Sequence, residues 1–168
     1  LLRVGVFVGR CQPFHKGHEQ IIRQMLHERG TERCVILLGS INAPLSAKNP
    51  FPYPTRYQWV KNTFQYVHVL GIPDFPDNDD YWLFHIMQVL KLPYVESVDP
   101  YFYVGSERDG RVYHERGFTT MIVPRSKQYS GTEIRRRLAA GEDFSELVSD
   151  PEYAQSVKSV WDTVKHAI

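Results

Sequence analysis

The sequence predicts an α/β fold: a doubly wound parallel sheet of about five strands, Rossmann-like, with helices at its C-terminal end. Three observations carry this. Five short apolar runs recur along the 168 residues, at 4–8, 33–38, 67–72, 101–104 and 118–123. Segments between them place apolar residues at helical spacing. The first strand, helix and strand fit within about 40 residues, as a right-handed βαβ unit does.

Taken in order, residues 4–8 (Val-Gly-Val-Phe-Val) read as a buried strand, and residues 19–29 carry Ile21, Ile22, Met25 and Leu26 with helical period. Residues 33–38 form a second buried strand, closed by Gly39-Ser40. Residues 41–53 have no apolar period and contain Pro44, Pro50 and Pro52, which marks a loop at the sheet edge where the first strand ends. Pro54-Thr55 opens a helix, since Pro fits the first turn, with Tyr57, Val60 and Phe64 as its inner stripe. A third strand spans 67–72 and an Asp- and Pro-rich loop spans 73–80. Trp82, Leu83, Ile86, Met87 and Leu90 then trace a helix. The fourth and fifth strands, at 101–104 and 118–123, run into Gly105-Ser106-Glu107-Arg108 and Pro124-Arg125-Ser126-Lys127. A further helix starts at Ser130. The tail, 143–168, reads as helical, with Tyr153, Val157, Val160, Trp161 and Val164 on the side that packs. No repeat or linker intervenes, so residues 1–168 are expected to be one domain.

Composition narrows the function. Apolar content of 42% and charged content of 23% are those of a soluble protein. A net charge of +1 argues against nucleic acid, whose binding asks for a basic stripe. Any basic cluster should therefore serve a small ligand. No apolar run reaches a membrane span and no signal peptide is visible, so no membrane partner is expected. Cys11 and Cys34 make neither a disulfide framework nor a metal-ligand spacing, which suits a reducing cytoplasm. The chain opens on Leu1-Leu2 rather than Met, as expected of a trimmed chain or one module of a longer protein.

The most informative stretch is Gly9-Arg10-Cys11-Gln12-Pro13-Phe14-His15-Lys16-Gly17-His18, between the first strand and its helix. An open parallel sheet holds its ligand there, outside the carboxyl ends of its strands. Gly17 keeps the gap between the histidines free of side chain, and Pro13 brings the chain in extended. This order resembles the nucleotidyltransferase superfamily of adenylyl- and cytidylyltransferases, whose signature is His (or Thr)-x-Gly-His after the first strand. The ten residues together look like the archaeal-type nicotinamide mononucleotide adenylyltransferases and the similar domain of bifunctional enzymes carrying a Nudix hydrolase.

A second stretch, Ser130-Gly131-Thr132-Glu133-Ile134-Arg135, reads by itself as a helix capping box. A helix N-terminus also suits phosphate oxygens, and the stretch matches the superfamily's Ser-x-Thr-x-x-Arg. The resemblance implies His15, His18 and Arg135 as catalytic residues. It implies Gly9, Arg10, Phe14, Lys16, Gly17, Gly105, Ser130 and Thr132 around ATP. It also implies an acceptor site built from the Asn-Pro-Phe loop (Lys48, Asn49, Phe51) with Arg56, and from Asn78 or Asp79 with Trp82. Lys48 and Arg56 would meet the monophosphate, and Trp82 would lie over the nicotinamide ring. Cys11 stands where relatives usually have Phe. Arg136 and Arg137 read as a solvated helix face, and Arg125 and Lys127 as either further phosphate contacts or plain surface, with surface slightly preferred.

The implied reaction is AMP transfer from ATP to nicotinamide mononucleotide, giving NAD and pyrophosphate, with Mg²⁺ arriving on ATP, in a cytoplasmic homo-oligomer. The alternatives are another phosphate acceptor, such as pantetheine phosphate or FMN, a cytidylyl transfer, or a non-catalytic NAD- or ATP-sensing domain. There is no Gly-x-x-x-x-Gly-Lys-Ser/Thr, no Gly-x-Gly-x-x-Gly, and no Ser/His/Asp order for a covalent nucleophile.

Overall fold

The computed structural model describes residues 1–125 and 128–168. Five parallel strands, β1 (Leu2–Gly9), β2 (Cys34–Leu38), β3 (His68–Gly71), β4 (Val98–Val104) and β5 (Thr119–Ile122), lie in the order β3-β2-β1-β4-β5. The helices are α1 (Lys16–Arg29), α2 (Tyr53–Thr63), α3 (Asp79–Val89), α4 (Glu107–His114), α5 (Gly131–Ala140) and α6 (Pro151–Val164). The strand order reverses at β1. That reversal opens a crevice between the carboxyl ends of β1 and β4, the ligand position of such sheets.

The sheet is covered on both faces, which explains why its central strands read as unbroken apolar runs. In β2 every residue is buried. Cys34, Ile36 and Leu38 point into one cluster with Ile22 and Met25 of α1 and Val60 of α2. Val35 and Leu37 point into the other, with Leu83 and Ile86 of α3 and Tyr113 of α4. A third cluster joins Phe51 and Trp59 to Ile134, Leu138, Val157 and Trp161, tying α5 and α6 to α2. Gly9 is level with Leu38, and Leu38 with Gly71, so the loops after β1, β2 and β3 emerge side by side.

Several elements differ from the sequence reading. Helix α4 has no signal, because Glu-Arg-Asp-Gly-Arg-Val-Tyr-His offers only Val112 and Tyr113 as an apolar pair; Tyr113 seats it, stacked at 4.0 Å on Phe102, with Val112 partly covered against the same cluster. Strand β4 starts at Val98, three residues early, with Pro100 inside it. There β4 is paired with β1 alone, and its pairing with β5 begins at Tyr101. The 73–80 loop stops at Asn78, whose Oδ1 accepts the Tyr81 N–H and starts α3 at Asp79. On α2 the buried residues are Arg56, Trp59 and Val60, with Tyr57 only partly covered.

Candidate active site

The loop leaving β1 ends in a helix cap made of imidazoles. His15 is the extended N-cap of α1, and its Nδ1 accepts the Gly17 N–H at 3.0 Å. His18, three residues on, returns the bond: its Nδ1 accepts the His15 N–H at 3.1 Å. This is a capping box with histidines in the places usually held by Ser and Glu. A ring nitrogen that accepts is unprotonated, so each neutral imidazole carries its proton on Nε2. The rings stack with centroids 3.7 Å apart, and Phe14 lies parallel beneath His18 at 5.8 Å. Gly17 is required here: a Cβ would come 2.8 Å from His15 Cε1 and 3.0 Å from Arg125 Nη1.

Burial and neighbouring cations keep both rings neutral. His15 is 1% exposed, and desolvation with Arg125 and Arg135 nearby pushes it down to about 3. His18 is partly exposed and lies well below the ordinary imidazole value, through desolvation, then His15, Arg125 and Arg10. Among the described residues the Nδ1 of each ring is engaged, while neither Nε2 makes a hydrogen bond. Each can then donate a hydrogen bond without first losing or gaining a proton.

The loop is held from behind by three distant elements. Arg56 Nη1 of α2 donates to the Arg10 carbonyl at 2.7 Å. Arg135 Nη1 of α5 donates to the Gln12 carbonyl at 2.6 Å, and the Tyr153 hydroxyl of α6 to the Phe14 carbonyl at 2.6 Å. Gln12 also exchanges two hydrogen bonds with the Phe51 backbone, at 3.0 and 2.9 Å. Such bonds contribute about 1 kcal/mol each, more with a charged donor. Their main effect is to fix where the imidazoles stand.

Between β1 and β4 the structure leaves a cleft of about 280 Å³, lined by Gly9, Arg10, His18, Gly105, Asp109 and Arg125 among others. Helix α5 meets the same loop. Ser130 Oγ accepts the Glu133 N–H at 3.1 Å, and Arg135 reaches Gln12 while its Nη2 donates to Thr132 Oγ1 at 3.3 Å. The two signature stretches, about 120 residues apart in the chain, are thus in contact.

Other expected residues go elsewhere. Phe14 is fully buried under His18 and has no surface for ATP. Lys16 turns to the tail, its Nζ donating to the Glu146 carbonyl at 2.9 Å. Phe51 is 1% exposed and packs on Trp59, so only its backbone serves the loop. Arg56, expected on a phosphate, is 2% exposed, with Nε and Nη1 engaged by the carbonyls of Phe51, Arg10 and Gly39. Asn49 accepts from Arg10 at 3.0 Å, while Lys48 is exposed beside it. Asn78 caps α3, Asp79 faces Arg116 at 4.0 Å, and Trp82 packs 6.0 Å from Tyr113; none of the three lines the cleft.

Two cleft residues escaped the sequence reading. Asp109 has no pattern to mark it, and for Arg125 the sequence leaves a phosphate contact and plain surface both open, with surface preferred. The only available hint was position, since both follow strands whose ends face the same crevice. Lys127 lies outside the described residues. Cys11 is buried, and desolvation pushes its thiol up to about 12, which leaves it inert.

Comparison with known proteins is consistent with this geometry. The cytidylyltransferase-like family matches residues 6–137. A nicotinamide-nucleotide adenylyltransferase of Pyrococcus horikoshii is 32% identical over 93% of this chain and 84% of its own length. One from Saccharolobus solfataricus is 29% identical over 89% of this chain and 87% of its own. A bifunctional NMN adenylyltransferase/ADP ribose pyrophosphatase from Francisella tularensis superposes with a TM-score of 0.84 at 21% identity, over 96% of this chain and 50% of that one. The chain thus spans half of that solved protein. A second structure from that organism, described as complexed with AMP and a manganese ion, gives a TM-score of 0.77 at 23% identity. These superpositions establish the shared fold.

Proposed function

The chain belongs to the cytidylyltransferase-like family, and we propose that within it this protein is a nicotinamide-nucleotide adenylyltransferase, moving AMP from ATP to nicotinamide mononucleotide. The observation that carries the reading is the pair of imidazoles locked with their protons on Nε2, His18 lining a cleft that Arg10 also edges, and the loop between them joined to Arg135 through one carbonyl. Relatives named for this reaction support the choice of acceptor.

A phosphate oxygen of the mononucleotide attacks the α-phosphorus of ATP in line. A new P–O bond forms as the bond from the α-phosphorus to the bridging oxygen breaks, and pyrophosphate leaves with that electron pair. Nucleophile and leaving group are both anions, so no general base is needed. The protein aligns the two and offsets negative charge as it shifts toward the pyrophosphate. His18 donates from Nε2 to the oxygens around the α- and β-phosphorus, with His15 behind it, while Arg10 and Arg135 add positive charge. Neutral imidazoles suit this work: both rings lie well below the ordinary imidazole value, so their donors stand ready throughout the neutral range.

The described residues do not form a cage for a divalent ion. No group of three or more His, Cys, Asp or Glu is placed to hold one, and Asp109 is the one carboxylate lining the cleft. Mg²⁺ is therefore proposed to arrive on ATP, held by phosphate oxygens and water, and no step is routed through it. We further propose one domain acting in the cytoplasm. No helix among the described residues is long and apolar enough to cross a membrane. Exposed Tyr81 and Phe84 are compatible with a homo-oligomer, which light scattering would test.

The deciding measurement is pyrophosphate release with ATP, Mg²⁺ and a panel of acceptors: nicotinamide and nicotinic acid mononucleotides, pantetheine phosphate and FMN. Release with the nicotinamide nucleotide, and NAD as product, is expected. Tight ATP binding with no pyrophosphate from any acceptor would replace the enzyme with a sensor domain.

A further inference from the structure

The positive charge around the cleft is not distributed as the motifs imply. Lys16 is turned to the Glu146 carbonyl, and Arg56 is buried among backbone carbonyls. Arg135 braces Gln12, and Arg10 holds Asn49 and the Lys48 carbonyl. Each of these cations already has a protein acceptor. Arg125 has none among the described residues: it makes no hydrogen bond and no ion pair there, although it lines the same cleft as Arg10. Its side chain runs over two glycines. A Cβ on Gly105 would lie 3.2 Å from its Nε, and one on Gly17 would lie 3.0 Å from its Nη1. The missing side chains at Gly17 and Gly105 are the room in which the guanidinium lies, beside His15 and His18.

We propose that Arg125 is a catalytic residue that binds the β- and γ-phosphates of ATP and holds the departing pyrophosphate. It stands on the loop after β5, beside Gly17 at the start of α1 and in the cleft that Arg10 and His18 also line, so a triphosphate along the α1 N-terminus would meet it there. A planar fork whose donors are unengaged among the described residues suits a doubly charged phosphate group. An arginine with no partner among the described residues, set beside neutral imidazoles, suits a polyanion. The substrate class is thus a nucleoside triphosphate, with inorganic pyrophosphate as its counterpart in the reverse direction. This assignment rests on the adenylyl transfer proposed above.

The test compares the full chain with Arg125→Ala, Arg125→Gln and Arg125→Lys. Calorimetry measures binding of ATP, AMP and inorganic tripolyphosphate, and kinetics follow NAD formation and pyrophosphate consumption from NAD. Arg125→Ala is expected to lose about 100-fold in kcat/KM for ATP and to weaken tripolyphosphate and pyrophosphate. AMP affinity and the KM for nicotinamide mononucleotide should stay as in the parent. Lysine should restore part of the loss and glutamine none. Thermal melting should match the parent, because the side chain has no partner among the described residues to lose. Equal weakening of AMP and ATP, or parental tripolyphosphate binding in Arg125→Ala, would overturn the assignment. Should the parent itself release no pyrophosphate, the adenylyl transfer falls. The tripolyphosphate comparison would still decide whether Arg125 holds phosphate.

Discussion

Two helix N-termini converge on the β1 loop, and they are capped in opposite ways. On α1 the cap is the chemistry: the nitrogens of His15 and His18 that close the first turn belong to the rings proposed to meet the phosphates. On α5 the two are separate. Ser130 Oγ closes the turn at 3.1 Å, and Arg135, a turn further on, braces Gln12. Even the Ser-x-x-Glu box is only half made there, because Glu133 pairs with Arg136 at 2.8 Å and Arg137 at 3.0 Å instead of returning to the cap. Damage to α1 should therefore lower stability and rate together, whereas damage to α5 should separate them.

The largest effect is expected from His18→Ala. It removes a donor aimed at the charge of the transition state, about 3 kcal/mol of barrier and at least 100-fold in kcat. It also leaves the His15 N–H without its acceptor, at about 1 kcal/mol of folding stability. Single-turnover rates and urea melts on one preparation would check both. A fall in rate with stability unchanged would mean that the ring is no part of the cap.

Acid should expose the same coupling more gently. His15 titrates near 6.5 when unfolded and at about 3 when folded. Between those values the unfolded chain binds more protons, so stability is full above pH 6.5 and falls as the pH drops toward 3. The slope for one such imidazole is up to about 1.4 kcal/mol per pH unit. His15→Asn keeps a capping acceptor but cannot titrate, so its melts between pH 7.5 and 4.5 should fall less steeply than the parent's. Parallel curves would place the acid sensitivity elsewhere. For the same reason kcat should show no ionisation near pH 6.5. The α5 cap has no comparable term, since Ser130 does not titrate.

These contrasts mark how far the sequence could be read. Strands β1 and β2 and helix α1 were legible because burial on two faces leaves unbroken apolar runs, and an amphipathic helix leaves a period. Both ends of the site were legible as motifs. Spacing along a chain, however, says which residues arrive at a site and not where their side chains turn. Phe14, Lys16, Phe51 and Arg56 all sit in the expected stretches, yet they serve packing and backbone carbonyls. Arg125 is the reverse case: its role depends on two glycines from distant segments making room for it. Helix α4 was invisible because a buried tyrosine and a partly covered valine next to it anchor it rather than a stripe.

The smallest effect, and the cleanest test of the distinction, is Ser130→Ala. Losing the Oγ that accepts the Glu133 N–H should cost about 1 kcal/mol of stability. Arg135 would keep its own bond to Gln12, which does not pass through the cap, so kcat should change by no more than about 3-fold, roughly 0.65 kcal/mol of barrier. Urea melts and saturating-substrate rates measure the two terms separately. A rate loss approaching that of His18→Ala would mean that the free N–H groups of α5 hold phosphate only while Ser130 orders them. Cap and chemistry would then be as inseparable on α5 as on α1.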